Sequence, residues 1–167
     1  MMYYMPSLKL RPDAIKAAVL ASCDRKVTNE TLYYITDKEG AGVVNANKAI
    51  SAIHSVSTNN IIYDTTDSTI DYYYTPRTSG TKTFALSWIK QNTGSGTNHY
   101  SISEQSFTDF DLAVYDSAGD YITSSTSANN IAELLRFNAT AYNTYKIRIT
   151  RYTNNSTLEK LALAYVG

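Results

Sequence analysis

From Thr81 onward, apolar and polar positions alternate with a period of two. Thr81 to Lys90 sets Phe84, Leu86 and Trp88 on one side and Thr83, Ala85, Ser87 and Ile89 on the other. That is the pattern of a half-buried strand, because successive strand side chains point to opposite faces of a sheet. The alternation returns at Leu112 and Val114, closed by a turn at Ser117, Ala118 and Gly119. It returns again at Tyr145, Ile147 and Ile149, followed by the polar turn Thr153 to Thr157, and at Leu161, Leu163 and Tyr165. Weaker alternation predicts strands over Ile70 to Tyr74, Tyr121 to Ser124 and Glu133 to Phe137. Short strands separated by Gly, Asn and Ser turns predict a mainly β fold, an antiparallel jelly-roll-like β-sandwich.

The stretch before it has helical texture. Pro12 suits the first position of a helix and Asp13 its first turn. Ile15, Ala18, Val19 and Ser22 follow at helical spacing. A second short helix is expected over Val44 to Ile53, with Val43, Ala46, Ala49, Ile50 and Ile53 sharing one side, entered through Gly40 and Gly42. Two short helices poor in large apolar groups cannot form a stable unit alone and need a surface to lie against. The expected organisation is therefore a two-helix segment over 1–54, a polar linker over 55–69 and a β-sandwich over 70–167. Gln91 to Asn98, with Gly94 and Gly96, reads as a loop.

Composition narrows the function classes. The 167 residues carry fifteen Lys plus Arg against fifteen Asp plus Glu, a formal net charge of zero. With no net field to attract a phosphate backbone or an anionic lipid surface, nucleic acid and membrane are poor candidates for the partner. Fifteen tyrosines and many Thr, Ser and Asn residues suit a sheet with hydroxyl-rich outer faces. A single cysteine, Cys23, leaves the fold without an internal disulfide and reads as a small buried side chain. No apolar run reaches the length of a membrane span. Met1 to Leu10 lacks the layout of a signal peptide, so a secreted or cell-surface protein would carry its export signal upstream.

Two segments, PSLKLRPDAIKAAVLAS (Pro6 to Ser22) and GAGVVNANKAISAI (Gly40 to Ile53), resemble the end of the catalytic domain of subtilisin-like serine proteases. Gly40, Gly42, Val44, Asn45 and Ala46 match the family's glycine-bounded approach to its last helix. The following FTDFDLAVYDSAGDYITSS (Phe107 to Ser125), the strand Glu133 to Phe137 and AYNTYKIRIT (Ala141 to Thr150) resemble the β-sandwich modules called pre-peptidase C-terminal domains. Where that pattern has Gly before its last Thr-Tyr pair, this chain has Asn143, a residue that also tolerates left-handed geometry. The resemblance implies the C-terminal portion of a secreted subtilisin-like protease. Its partners would be the parent catalytic domain and a protein or polysaccharide substrate, and the helical segment would be available for self-association. The family's nucleophile lies in a G-T-S helix start, and no G-T-S occurs here. The chain is therefore expected to be an accessory module that stabilises the catalytic domain or presents substrate, without cutting. A free-standing carbohydrate- or peptide-binding module, or a structural domain at a cell surface, is the competing expectation.

Candidate site residues fall into two sets. Tyr72, Tyr73 and Tyr74 are consecutive, so in a strand at least one faces away from the core. With Trp88 they would form an aromatic platform for sugar rings or an extended peptide. The structural alternative packs Tyr72 and Tyr74 inward or against the helices, lays Tyr73 along the surface and buries Trp88 in the core. Asp109 and Asp111 share one side of a strand and, with Asp116 or Asp120 from the next turn, would supply oxygen ligands for calcium. The structural alternative explains the strand by Phe110, Leu112 and Val114 as core on one side and polar on the other, with the turn Asp residues capping their own backbone. Asp64, Asp67 and Asp71 lack the glycine of a calcium loop. His54 and His99 stand far apart without zinc-site spacing. Asn29, Asn138, Asn154 and Asn155 each open an N-x-Ser/Thr triplet.

Overall fold

Each clear run of alternation becomes a strand, and the strands stack as two antiparallel four-stranded sheets. The computed structural model describes residues 11–24, 35, 40–56, 61–63, 69–89, 108–128, 130–153 and 159–167. Its elements are α1 (Pro12–Ala21), β1 (Cys23–Asp24), β2 (Val43–Val44), α2 (Ala46–Ser55), β3 (Ile61–Tyr63), β4 (Thr69–Tyr74) and β5 (Gly80–Trp88). They continue with β6 (Asp109–Tyr115), β7 (Tyr121–Ser125), β8 (Ala132–Ala139), β9 (Tyr145–Thr153) and β10 (Glu159–Val166). The sheet orders are β3-β10-β5-β8 and β4-β9-β6-β7. The chain crosses repeatedly from one sheet to the other, giving the interleaved Greek-key connectivity of a jelly roll. The β3 strand falls in the stretch expected as linker. Three residues are too few for a period to show.

The inner faces make one core from Phe84, Leu86 and Trp88 of β5, Phe110, Leu112 and Val114 of β6, Leu135 and Phe137 of β8, Ile147 and Ile149 of β9, and Leu161 and Leu163 of β10. Aromatic rings meet edge-on within it: Tyr74 and Phe84 at 5.1 Å, Trp88 and Phe110 at 5.3 Å, Phe137 and Tyr145 at 5.1 Å. Such pairs add about 0.5–1.5 kcal/mol beyond the area they bury.

The outer face of the β3-β10-β5-β8 sheet is covered as well. Ala85, Leu134, Ala162 and Ala164 point outward and pack against Ala14, Ala17, Ala18 and Ala21 of α1 and Ala52 and Ile53 of α2. Alanine on both sides lets the helix backbones approach the sheet closely. This sets the helix orientation and corrects the expected face: Ile15 and Val19 are only half-buried, and the buried stripe is Ala14, Ala17, Ala18 and Ala21. In α2 the buried positions are Ala49, Ala52 and Ile53, while Val43 and Ile50 are more than half exposed. This helix starts at Ala46 rather than Val44 because Val43 and Val44 pair with Cys23 and Asp24 in a short ribbon. Asn45 then caps it, its side-chain oxygen accepting from the Lys48 amide at 3.1 Å. Gly40 (φ 60°) and Gly42 (φ 107°) supply the left-handed backbone that turns the chain into the ribbon.

Polar groups fix the helical layer in place. Arg136 of β8, 3% exposed, donates from Nη2 to the carbonyls of Cys23 and Ala41, each at 3.0 Å. The Arg11 guanidinium holds the buried Asp13 carboxylate at 2.7 Å and donates to the Leu161 carbonyl of β10 at 3.1 Å. Beyond Leu161, β10 has no partner in β3. There Ser55, the last residue of α2, takes the Tyr165 amide on its Oγ at 2.9 Å, and that hydroxyl lies 2.7 Å from the Tyr165 carbonyl oxygen. Among the described residues, a serine thus takes the place of a strand at that position. Among the described residues no helix is long and apolar enough to cross a membrane.

Candidate functional site

Strand β4 separates the three consecutive tyrosines. Tyr72 and Tyr74 turn inward against the core, where burial pushes both phenols above the usual range. They line a crevice of about 110 Å³ between the sheets with Tyr165, Leu163 and Ser55. Tyr73 points the other way and is 73% exposed. Trp88 is 2% exposed in the core, so it and Tyr73 do not share a platform.

The acidic set is divided too. Asp109 and Asp111 stand near the start of β6, while Asp116 follows its far end, roughly 20 Å away at ~3.4 Å per residue. Asp116 Oδ1 accepts from the amides of Ala118 and Asp120, both at 2.9 Å, so it serves as the cap of the β6–β7 turn. Among the described residues no three acidic, His or Cys side chains converge where a metal ion would sit. The calcium set expected from Asp109, Asp111 and Asp116 is not assembled. Burial pushes Asp109 and Asp111 upward, and Asp109 adds to the rise of Asp111. Asp71 instead forms a two-point pair with Arg148, 2.7 Å at each contact, which holds its carboxyl below the usual range. Asp64, Asp67 and His99 lie outside the described residues, as do Gln91 to Asn98 and the Asn29, Asn154 and Asn155 triplets. His54 is exposed in the last turn of α2, and Asn138 is exposed on β8, accepting from Thr81 at 2.9 Å. Cys23 is buried, its thiol donating to the Val19 carbonyl at 3.3 Å and pushed upward by that burial.

Glu133 is a buried acidic residue that the sequence pattern did not single out. It occupies an inward position of β8, 1% exposed, where the edge strands β7 and β8 of the two sheets face one another. The Ser125 hydroxyl of β7 donates to its Oε2, and the Ser127 amide donates to Oε1 at 2.9 Å. Burial pushes its carboxyl up to about 7; the two hydrogen bonds oppose that rise, and Asp111 and Asp109 add to it. A cavity of about 500 Å³ opens beside it, lined by Ser124, Thr126, Ser127 and Asn130.

Among the described residues, no element covers the outer face of the second sheet. Across it, Tyr73 of β4 pairs with Lys146 of β9, and Lys146 pairs with Tyr115 of β6. The Lys146 ammonium lies 4.7 Å from the Tyr115 ring centre, and Tyr121 of β7 meets the same ring edge-on at 6.0 Å. Arg148 lies 5.7 Å from that ring on its other contact. An aromatic and cationic row thus spans the sheet. At one end of it, Tyr73, Lys146 and Thr144 face the β6–β7 turn around a pocket of about 280 Å³ that also takes in Asp116, Ser117 and Gly119. The structure therefore brings Tyr73 and Asp116 together, two residues assigned to different chemistries from sequence. Lys146, Tyr115 and Tyr121 were missed, because which sheet face stays open is set by where the helices dock. A row of outward Tyr and Lys at matched register positions was the available signal. No protein-family model matches the chain, and no curated protein matches its sequence.

Proposed function

We propose that this chain is a non-catalytic accessory module of a secreted subtilisin-like protease, one that presents substrate to the catalytic domain or stabilises it. The observation that carries the reading is the inequality of the two outer sheet faces. One is closed by the helical layer and the other carries the open Tyr73, Lys146, Tyr115 and Tyr121 row. The division suits a module joined to its neighbour through one side and free to bind through the other. The protease connection is supported by the resemblance of the GAGVVNA segment, which here forms one strand of the ribbon and the capped entry to α2. In the parent protein the Asp, His and G-T-S serine would lie upstream.

The test compares the parent protein with a version lacking residues 70–167. The expected result is unchanged hydrolysis of a small chromogenic peptide, with a lower melting temperature or slower cleavage of polymeric substrate. The isolated chain should neither hydrolyse peptide bonds nor react with a serine-directed phosphonate. Stoichiometric labelling of one serine in the isolated chain, or a parent reading frame with no G-T-S serine, overturns the proposal.

A second reading, a free-standing binding module that owns its helices, is favoured by the Arg136, Arg11 and Ser55 contacts, which tie the helical layer into the sandwich. The same parent reading frame distinguishes the two.

A further inference from the structure

The pocket at the end of the aromatic row combines three kinds of surface. Tyr73 supplies a ring that is 73% exposed and on which no described ring stacks. Lys146 supplies a donor and Asp116 an acceptor, whose Oδ2 takes no bond from a described residue while Oδ1 is held by the turn amides. Ser117 and Thr144 add hydroxyls that both donate and accept. Thr144 bonds Thr75 at 2.9 Å and keeps capacity for a second partner.

Charge and hydrogen bonding limit what fits. An anion would meet the Asp116 carboxylate and a cation would meet the Lys146 ammonium, so a neutral ligand is favoured. An apolar ligand would leave donors and acceptors unpaired on all sides, at a cost of about 1–3 kcal/mol for each group it seals from water. A pyranose ring is neutral, carries hydroxyls around its rim and presents a C–H face to an aromatic ring. The walls are also fixed before binding. The turn is pinned by Asp116 and by Gly119 at φ 91°, and the Lys146 ammonium is held over the Tyr115 ring. Preorganised groups lose less freedom when a ligand arrives. Tyr115 lies two strand spacings from Tyr73, about 9–10 Å, with Tyr121 beyond it, so the row continues past the pocket.

We infer that this pocket holds one pyranose unit of a neutral polysaccharide, with its C–H face on Tyr73, its hydroxyls on Lys146, Asp116 and Ser117, and the chain running on toward Tyr115. The inference goes beyond the proposed function and holds for the module attached to a protease or free.

The experiment titrates the isotope-labelled chain with cellohexaose, maltohexaose and the hexamer of N-acetylglucosamine, with polygalacturonate as an acidic comparison. Amide shifts should saturate at Tyr73, Ser117 to Gly119, Thr144 and Lys146 for at least one neutral hexasaccharide, with Kd below about 1 mM. Tyr73→Ala should weaken that binding about tenfold or more and Tyr73→Phe should preserve it, neither variant changing the melting temperature. The inference is overturned by the absence of shifts at these amides with every neutral hexasaccharide up to about 10 mM. It is also overturned by shifts there with polygalacturonate alone, or by affinity unaltered in Tyr73→Ala. None of those results bears on whether a catalytic serine lies upstream, so a failure here leaves the accessory-module proposal to its own test.

Discussion

Arg136 and Cys23 are 113 residues apart in sequence, yet the guanidinium of one donates to the carbonyl of the other at 3.0 Å in a buried setting. The same nitrogen reaches Ala41, so one side chain ties both sides of the β1–β2 ribbon to the sheet. Replacing Arg136 with Met keeps much of the volume but strands two carbonyl oxygens. The expected loss is about 2–4 kcal/mol in urea denaturation. Amide exchange should show α1 losing protection in the variant before the strands do. Wild-type protein in which α1 exchanges freely while the sandwich stays protected would mean that the helical layer is a separate unit.

Glu133 makes stability depend on pH. Its folded-state carboxyl titrates at about 7, above the usual value of 4.5. The folded protein therefore binds an extra proton between those values, and stability is greatest below about 4.5 in this respect and falls as pH rises to about 7. The full loss is about 3 kcal/mol. Asp71 and Asp24, with lowered values, act in the opposite sense only at more acidic pH. Urea midpoints should decline from pH 5 to pH 8, and Glu133→Gln should flatten the decline, since the amide still accepts from Ser127 and donates to Ser125. A slope that survives in Glu133→Gln assigns the effect elsewhere.

Trp88 and Tyr73 should separate cleanly. Trp88→Ala removes a ring packed on Phe110 and should cost about 3–5 kcal/mol. Tyr73→Ala removes an exposed ring and should change stability by less than about 0.5 kcal/mol. Equal melting curves for the two variants would contradict the inward placement of Trp88.

The turn between β8 and β9 stores strain at an unexpected position. Asn143 tolerates the left-handed conformation, but Tyr142 takes it, at φ 64°. The Tyr142 amide donates to Pro76 at 2.8 Å and Asn143 closes the turn onto Thr140, which places the positive φ one residue earlier. Tyr142→Gly should relieve the Cβ clash and stabilise the protein by about 0.5–1 kcal/mol, part of the relief being offset by the added freedom of glycine when unfolded. A destabilised Tyr142→Gly protein would show that the exposed Tyr142 ring contributes packing of its own.

The strands with one clear apolar face were legible because burial period is a local property. Phe84, Leu86 and Trp88 needed no knowledge of their partners. Glu133 to Phe137 read weakly for the opposite reason. Both faces of β8 are buried, with Leu134 and Arg136 under the helical layer and Leu135 and Phe137 in the core, so alternation is blurred. The helix stripe was misplaced by one position because hydropathy weights Ile15 and Val19 over alanine, whereas close approach to a sheet favours alanine. The open row at Tyr73, Lys146 and Tyr115 depends on strand register and on where the helices dock, neither of which is encoded in any single segment.

The alanine seam between α1 and β10 joins positions on opposite sides of the sequence. Ala14, Ala17 and Ala18 find Ala162 and Ala164 only after all the intervening strands have been made, and β3 likewise pairs with β10. Closing such long loops carries an entropic cost that must be met before the contacts form, so domains of this topology collapse slowly, in milliseconds to seconds. During ribosomal synthesis α1 is made well before β10 and gains this part of its seat only once β10 has emerged. Until β10 appears, the part of its apolar stripe that rests on Ala162 and Ala164 stays uncovered by that strand.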